Sequence, residues 1–293
     1  MKENIMKNMA LIGLIAMLGG CSPALPPLPE KLNVSTTFYP LTFLAKRIGA
    51  DAAIVTQVVP GATEPHDFEP TPQEVSAVYN SKVFLLNGAG LEPWAEDITE
   101  ELDEKGIAVI RATEGMESGN PHIWLDPVSM KAITLRVRDA FLKADPAHAR
   151  VYKASATKLI YDLDALHAYF KTKLKKCARK RVIVSHDAFG HLAKRYGFET
   201  LSVAGLSPDE EPSPKIMADI INTAKREKVT VIFSETLASP KLAEAVARGA
   251  NAEVRVLNPL EGLTPEEEAA GRDYLSIMRE NAGNLAIALQ CKR

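Results

Sequence analysis

Hydrophobic positions along the chain follow two alternating rhythms. Residues 32–37, 53–59, 82–87 and 107–110 are short apolar or alternating runs, and they predict strands. Between them, residues 41–48, 72–80 and 92–105 carry apolar side chains three and four apart. They predict helices, the first closed by Gly49 as a C-cap. Strands that alternate with helices imply a parallel sheet covered on both faces. Ligands of such sheets bind outside the carboxyl ends of the strands.

The rhythm changes at Pro127. Apart from a break at Asp145-Pro146, residues 127–176 read as helix. Residues 146–176 alone predict one long helix, with Tyr152, Ser155, Leu159, Leu163, Leu166 and Phe170 along one side. At ~1.5 Å per residue such a helix spans roughly 45 Å, longer than a small domain is wide. It reads as a connecting rod. The basic run 171–181 reads as a solvated helix end that complements the helix dipole. The β/α rhythm then restarts. Strands are predicted at 181–185, 200–203, 231–234 and 252–257, and helices at 189–196 (closed by Gly197), 214–227, 240–248 and 274–290. The expected fold is α/β, with two parallel-sheet β/α domains, 32–145 and 178–293, joined by a rigid helix over 146–177.

Composition agrees with a globular chain: of 293 residues, 46% are hydrophobic and 25% charged. A formal net charge of −2 argues against a nucleic-acid partner. The N-terminus reads as processing sequence. Lys2 and Lys7 precede an apolar stretch, 10–18, too short to span a bilayer, so residues 1–20 read as a signal peptide. Leu18-Gly19-Gly20-Cys21 places small residues before a cysteine, as in the bacterial lipobox, and makes Cys21 the expected lipidation site. Residues 21–31 hold four prolines and read as a stiff tether. The exported protein is expected in the periplasm or on the extracellular face, held to the membrane by its lipid. In that oxidising compartment Cys177 and Cys291 could pair, or both stay free.

The candidate chemistry lies in three histidines. His66 sits in Glu64-Pro65-His66-Asp67-Phe68-Glu69-Pro70. His122 sits in Asn120-Pro121-His122-Ile123-Trp124-Leu125-Asp126-Pro127, framed by two prolines that stiffen the backbone. His186 sits in Ser185-His186-Asp187-Ala188-Phe189, directly after a predicted strand. Asn258 also follows a predicted strand. Imidazole suits Zn²⁺, which prefers four ligands. Two ligands from each half would place an ion between the domains. Asp67, Asp126 and Asp187 each stand near one of these histidines and are candidates to orient a ring from behind, or to cap a turn. His148 and His167, on the long helix, read as surface residues, and His191 lies inside the helix that His186 precedes. Three histidines with an open position also describe a catalytic zinc, so a zinc hydrolase is the competing class. Against it, the chain has no HExxH and no glutamate placed as a convincing general base.

The three histidine motifs resemble those of the metal-binding solute receptors of ABC importers for zinc and manganese, over about residues 31–290. The resemblance implies two α/β domains joined by one rigid helix, an ion in the cleft, a membrane permease as partner and a monomeric receptor. Manganese-type members tend to carry glutamate at the third position; His186 here favours Zn²⁺, with Mn²⁺ as the alternative. The family often has aspartate where this chain has Asn258. The expected site is therefore His66, His122 and His186 with Glu64 or water, and Asn258 close by without strong ligation; Glu261 is a further candidate for the open position. The long histidine-rich loop that zinc receptors often carry before the second motif is replaced by the short segment 111–119, which has no histidine.

Overall fold

The structure, a computed structural model, describes residues 30–116 and 119–292. The expected signal peptide, Cys21 and all but the end of the tether lie outside the described residues. Two four-stranded parallel sheets form the frame. The first contains β1 (Leu32–Thr36), β2 (Ala53–Gln57), β3 (Val83–Leu86) and β4 (Ala108–Arg111), in the order β2-β1-β3-β4. The second contains β5 (Arg181–Val184), β6 (Glu199–Ser202), β7 (Val231–Ser234) and β8 (Glu253–Val256), in the order β6-β5-β7-β8. The inner strands β3 and β7 are buried at every residue, as a sheet with helices on both faces requires. The edge strands β2 and β8 have no fully buried residue. In each sheet the strand order reverses once, between β1 and β3 and between β5 and β7. That reversal opens a crevice at the carboxyl ends of the strands.

The long helical stretch is two helices, Pro127–Ala144 and Ala149–Lys173, separated by a 3₁₀ turn at Pro146–His148. The second has 25 residues, roughly 37 Å at ~1.5 Å per residue. Its buried stripe is Tyr152, Ala156, Leu159, Leu163, Leu166 and Phe170. Ala156 occupies the place expected of Ser155, because steps of four and three alternate along the whole stripe. This helix is not a free-standing rod. One continuous apolar cluster takes in Leu41 and Leu44 of the first half, the helix stripe, and Phe198, Tyr274 and Leu285 of the second. Smaller clusters fill the outer faces, around Phe84 and Trp94 in the first half and around Ile183 and Ile232 in the second. His148 and His167 are half-buried and not surface residues: their rings bond the carboxylate of Asp145 (2.6 Å) and the hydroxyl of Tyr196 (3.0 Å).

Two local expectations need correction. Gly49 does not cap its helix; it is the last helical residue, and Ala50 takes the positive φ of 45°. Glycine is required there for space, since a Cβ would lie 2.5 Å from the Cβ of Ala53. The helix expected over 92–105 is split into Pro93–Asp97 and Thr99–Glu104. At the break the Thr99 hydroxyl bonds the Glu96 carbonyl (2.9 Å), and Arg111 bonds both side chains. Such side-chain bonding competes with the helical ladder.

Cys177 and Cys291 form a disulfide that closes a separation of 114 residues and ties the end of the last helix to the segment entering β5. Replacing both cysteines by serine is expected to lower the unfolding free energy by about 2–4 kcal/mol. Urea titration against the wild type checks this; equal midpoints would mean that the bond adds nothing to stability.

Candidate metal centre

Four side chains converge where the two crevices face each other. His66 is reached from β2 and His122 from β4; His186 follows β5, and Glu261 lies on the loop after β8. The Nε2 of His122 is 3.1 Å from that of His66 and 3.1 Å from that of His186. Glu261 Oε1 stands 3.4 Å from His122 Nε2, 3.4 Å from His186 Nε2 and 3.6 Å from His66 Nε2. His122, His186 and Glu261 are buried.

Each donor is held from behind. Asn120 Oδ1 accepts from both the backbone N–H (3.0 Å) and the Nδ1–H (2.9 Å) of His122. That fixes the Nδ1-protonated tautomer and leaves the Nε2 lone pair facing the centre. Glu235, directly after β7, accepts from His186 Nδ1–H (2.7 Å) and from its backbone N–H (3.2 Å). This pair therefore bridges the switch point of the second sheet. At the matching switch point of the first sheet the buried Glu92 accepts from Thr37 Oγ1 and from the backbone N–H groups of Asn87 and Gly88. Asn87 in turn donates to the Pro121 carbonyl (2.9 Å), and so anchors the His122 loop to the end of β3. His66 is set by its own loop, where Glu64 accepts its backbone N–H (3.0 Å).

The electrostatics are unequal by design of the surroundings. Burial pulls the His122 imidazole down to about 4. Burial also opposes a charge on His186, but the hydrogen bond to Glu235 and the nearby Glu261 carboxylate outweigh it and push its pKa up to about 10. Burial works to raise Glu261 as well, yet its close approach to the three histidine rings holds it well below the ordinary carboxylate range. Burial and the nearby Glu261 push Glu64 up to about 7.

The three sequence-predicted histidines are thus brought together with Glu261, one of the candidates for the open position, while Asn258 and Glu64 lie outside that group of donors. Asn258 is spent on its own loop: Nδ2 donates to Glu267 (2.9 Å) and Oδ1 accepts the Leu260 N–H (2.7 Å). That brace supports the left-handed Leu260 (φ 61°) and turns the next residue, Glu261, inward. Glu64 approaches His66 Nε2 only to 3.9 Å. None of the three aspartates bonds a ring of the cluster. Asp126 takes the capping role instead, on the following helix, and pairs with Arg195, Asp187 offers its backbone carbonyl to Asn120, and Asp67 is exposed. Glu235 and Asn120 hold the rings instead. His191 donates Nε2–H to the Asn120 carbonyl (2.9 Å) and lies outside the donor group.

The two halves close tightly around this centre. Trp124 Nε1 donates to the Pro259 carbonyl (2.7 Å), and the Tyr274 hydroxyl donates to the Trp124 carbonyl (2.6 Å). Beside Glu261, a Cβ on Gly262 would lie 1.9 Å from the backbone oxygen of Gly61, so glycine is obligatory there.

Two parallel-sheet lobes closed over inward-facing imidazoles define a solute-binding receptor for a metal ion. Residues 34–288 match the family described as zinc-uptake complex component A, periplasmic, and the chain belongs to that family. It is 33% identical over 284 residues to the high-affinity zinc uptake system protein ZnuA of Bacillus subtilis, which covers 90% of this chain and 89% of that one. It is 32% identical over 272 residues to the zinc-binding lipoprotein AdcA of Streptococcus pneumoniae serotype 4, covering 86% of this chain but 54% of AdcA, about half of that relative's length. The Zn(II)-bound ZnuA-like domain of Streptococcus pneumoniae AdcA superimposes with a TM-score of 0.80 at 32% identity, over 89% of this chain and 99% of that one. These are uptake receptors and not enzymes, so the hydrolase alternative falls away.

In the metal-free protein at pH 7, His122 is expected to be neutral and His186 doubly protonated, as read from ¹⁵N–¹H NMR of the rings. The stability consequences have opposite signs. His122 lies below the unfolded value of about 6.5, so it costs stability as pH falls from there towards 4. His186 lies above it, so its contribution is full below about 6.5 and is lost as pH rises towards 10. Two rings titrating together near 6.5 would contradict this assignment.

Proposed function

We propose that this chain is an extracytoplasmic lipoprotein that captures Zn²⁺ between its two domains and delivers it to the permease of an ABC importer. The observation that carries the reading is the convergence of three Nε2 atoms and one carboxylate oxygen, with His122 Nε2 3.1 Å from each of the other two nitrogens and Glu261 Oε1 3.4–3.6 Å from all three. A tetrahedral ion with bonds of about 2.0–2.1 Å sets its ligand atoms roughly 3.3 Å apart. His66, His122, His186 and Glu261 are the ligands in this reading. Three imidazoles and one carboxylate favour zinc over manganese, which is better suited by oxygen donors.

The charge balance supports the same assignment. Three neutral imidazoles and Glu261 leave one positive charge of a dication uncompensated, and the buried Glu235 behind His186 supplies the second negative charge. Zinc would displace the proton held on His186. The domain boundaries proposed for the receptor are 32–145 and 178–293, with the linking helix at 146–177. The signal sequence, the Cys21 lipid anchor, the tether at 21–31 and a monomeric state complete the proposal. The names of the related uptake protein and of the AdcA lipoprotein support export and anchoring. Among the described residues no helix is long and apolar enough to cross a membrane.

Competition titration with a zinc chelator tests the ligand set. His122→Ala and Glu261→Gln should each weaken zinc binding by roughly 100-fold or more, beyond the ~10–100-fold cost of changes behind the ligands. Glu64→Gln should cost less than Glu261→Gln, and His148→Ala should leave the affinity unchanged. Equal affinity of His122→Ala and wild type would refute the site. Because a proton leaves His186, calorimetry at pH 7 should record about one proton released per zinc, and the affinity should fall about tenfold for each pH unit from 8 to 6. A flat profile would exclude that exchange.

A further inference from the structure

Asn120 is the residue in which the first lobe's ligand and the second lobe's backbone meet. Its Oδ1 accepts two N–H groups of His122. Its Nδ2 donates to the carbonyl of Asp187, the neighbour of His186, at 2.6 Å. Its own carbonyl accepts from His191 Nε2 at 2.9 Å, on the helix that follows His186. Pro121 biases Asn120 towards extended backbone, and Asn87 holds the Pro121 carbonyl to the first sheet. The amide is therefore anchored on one side and reaches across on the other.

We propose that Asn120 is a positioning residue that sets how long the ion stays bound. It makes the ligating orientation of His122 and the closed position of the His186 loop a single hydrogen-bonded state. Neither ligand can leave that state without breaking a bond at the same amide. This rests on the reading of the four-residue cluster as a zinc site. An amide is suited to the task because it accepts on one side and donates on the other; a carboxylate can only accept.

The test separates the two halves of the role. Asn120→Asp keeps the acceptor for His122 but removes the donor and sets a carboxylate oxygen against the Asp187 carbonyl. It should still bind one zinc ion. In stopped-flow release into excess chelator, zinc should leave it roughly fivefold to tenfold faster than wild type, as expected for one lost interlobe hydrogen bond. Zinc should also no longer protect the amides of 185–190 from hydrogen exchange as it does in wild type. His191→Phe removes the second bridge from the other lobe without touching Asn120, and should speed release in the same direction by less. Asn120→Asp releasing zinc at the wild-type rate, or keeping full zinc-induced protection at 185–190, would overturn the proposal. Failure of wild type to bind zinc at all would instead sink the zinc reading, and this inference with it.

Discussion

Everything in the fold answers to one electrostatic problem. One imidazole nitrogen on either side of His122 Nε2 and a carboxylate oxygen are packed to within 3.1–3.4 Å of it in a buried place. Lone pairs directed at one another in a low-dielectric interior repel, and burying a charge or a polar atom without a partner is costly. A cation at the centre removes the conflict; without one, a proton on His186 relieves part of it. Glu261 Oε1 is buried with three ring nitrogens 3.4–3.6 Å away and no hydrogen bond of its own, which marks it as a group waiting for something else. The two sheets, the long helix and the cross-lobe bonds can be understood as the scaffold that holds this arrangement against its own repulsion.

The scaffold acts at the points where strand order reverses. In the second sheet the histidine after β5 and the glutamate after β7 bond each other across the reversal. In the first sheet the same place is filled by Thr37, Asn87 and Glu92, which bind no candidate ligand directly but fix the loop that carries His122. One lobe uses its switch point for a ligand and its anionic brace, the other for an anchor. The rings are consequently tuned apart, His122 behind a neutral amide and His186 behind a carboxylate.

Much of this was legible in the sequence, and the parts that were not share a cause. Alternation of strand and helix patterns gave both sheets, and the prolines around His122 and His66 marked stiff loops with donors in them. The helix stripe from Tyr152 to Phe170 is readable because burial recurs every three and four residues; Ala156 does not stand out because a small residue adds little to the pattern. Glu261 was one of several carboxylates near the open position. Only the Asn258 brace and the left-handed Leu260 single it out, and both are properties of folded backbone. Asp67, Asp126 and Asp187 were attractive through nearness in sequence, whereas Glu235 lies 49 residues from His186 and meets it only because β5 and β7 are neighbours in the sheet. Contacts of that range are set by topology, and local pattern carries no trace of them.

The contact between Gly61 and Gly262 bears on selectivity in a way that the ligand atoms alone do not. The backbones of the two lobes touch beside the centre, with no room for even one added carbon. With that contact closed, the four proposed ligand atoms themselves fill a tetrahedral shell and take the places of an ion's inner water. Any metal that enters must surrender its water before the loops can meet. Magnesium holds its water with great reluctance and prefers six oxygens around it. For the proposed site, rejection of that cation would come from the cost of drying it, and would persist even where magnesium far outnumbers zinc.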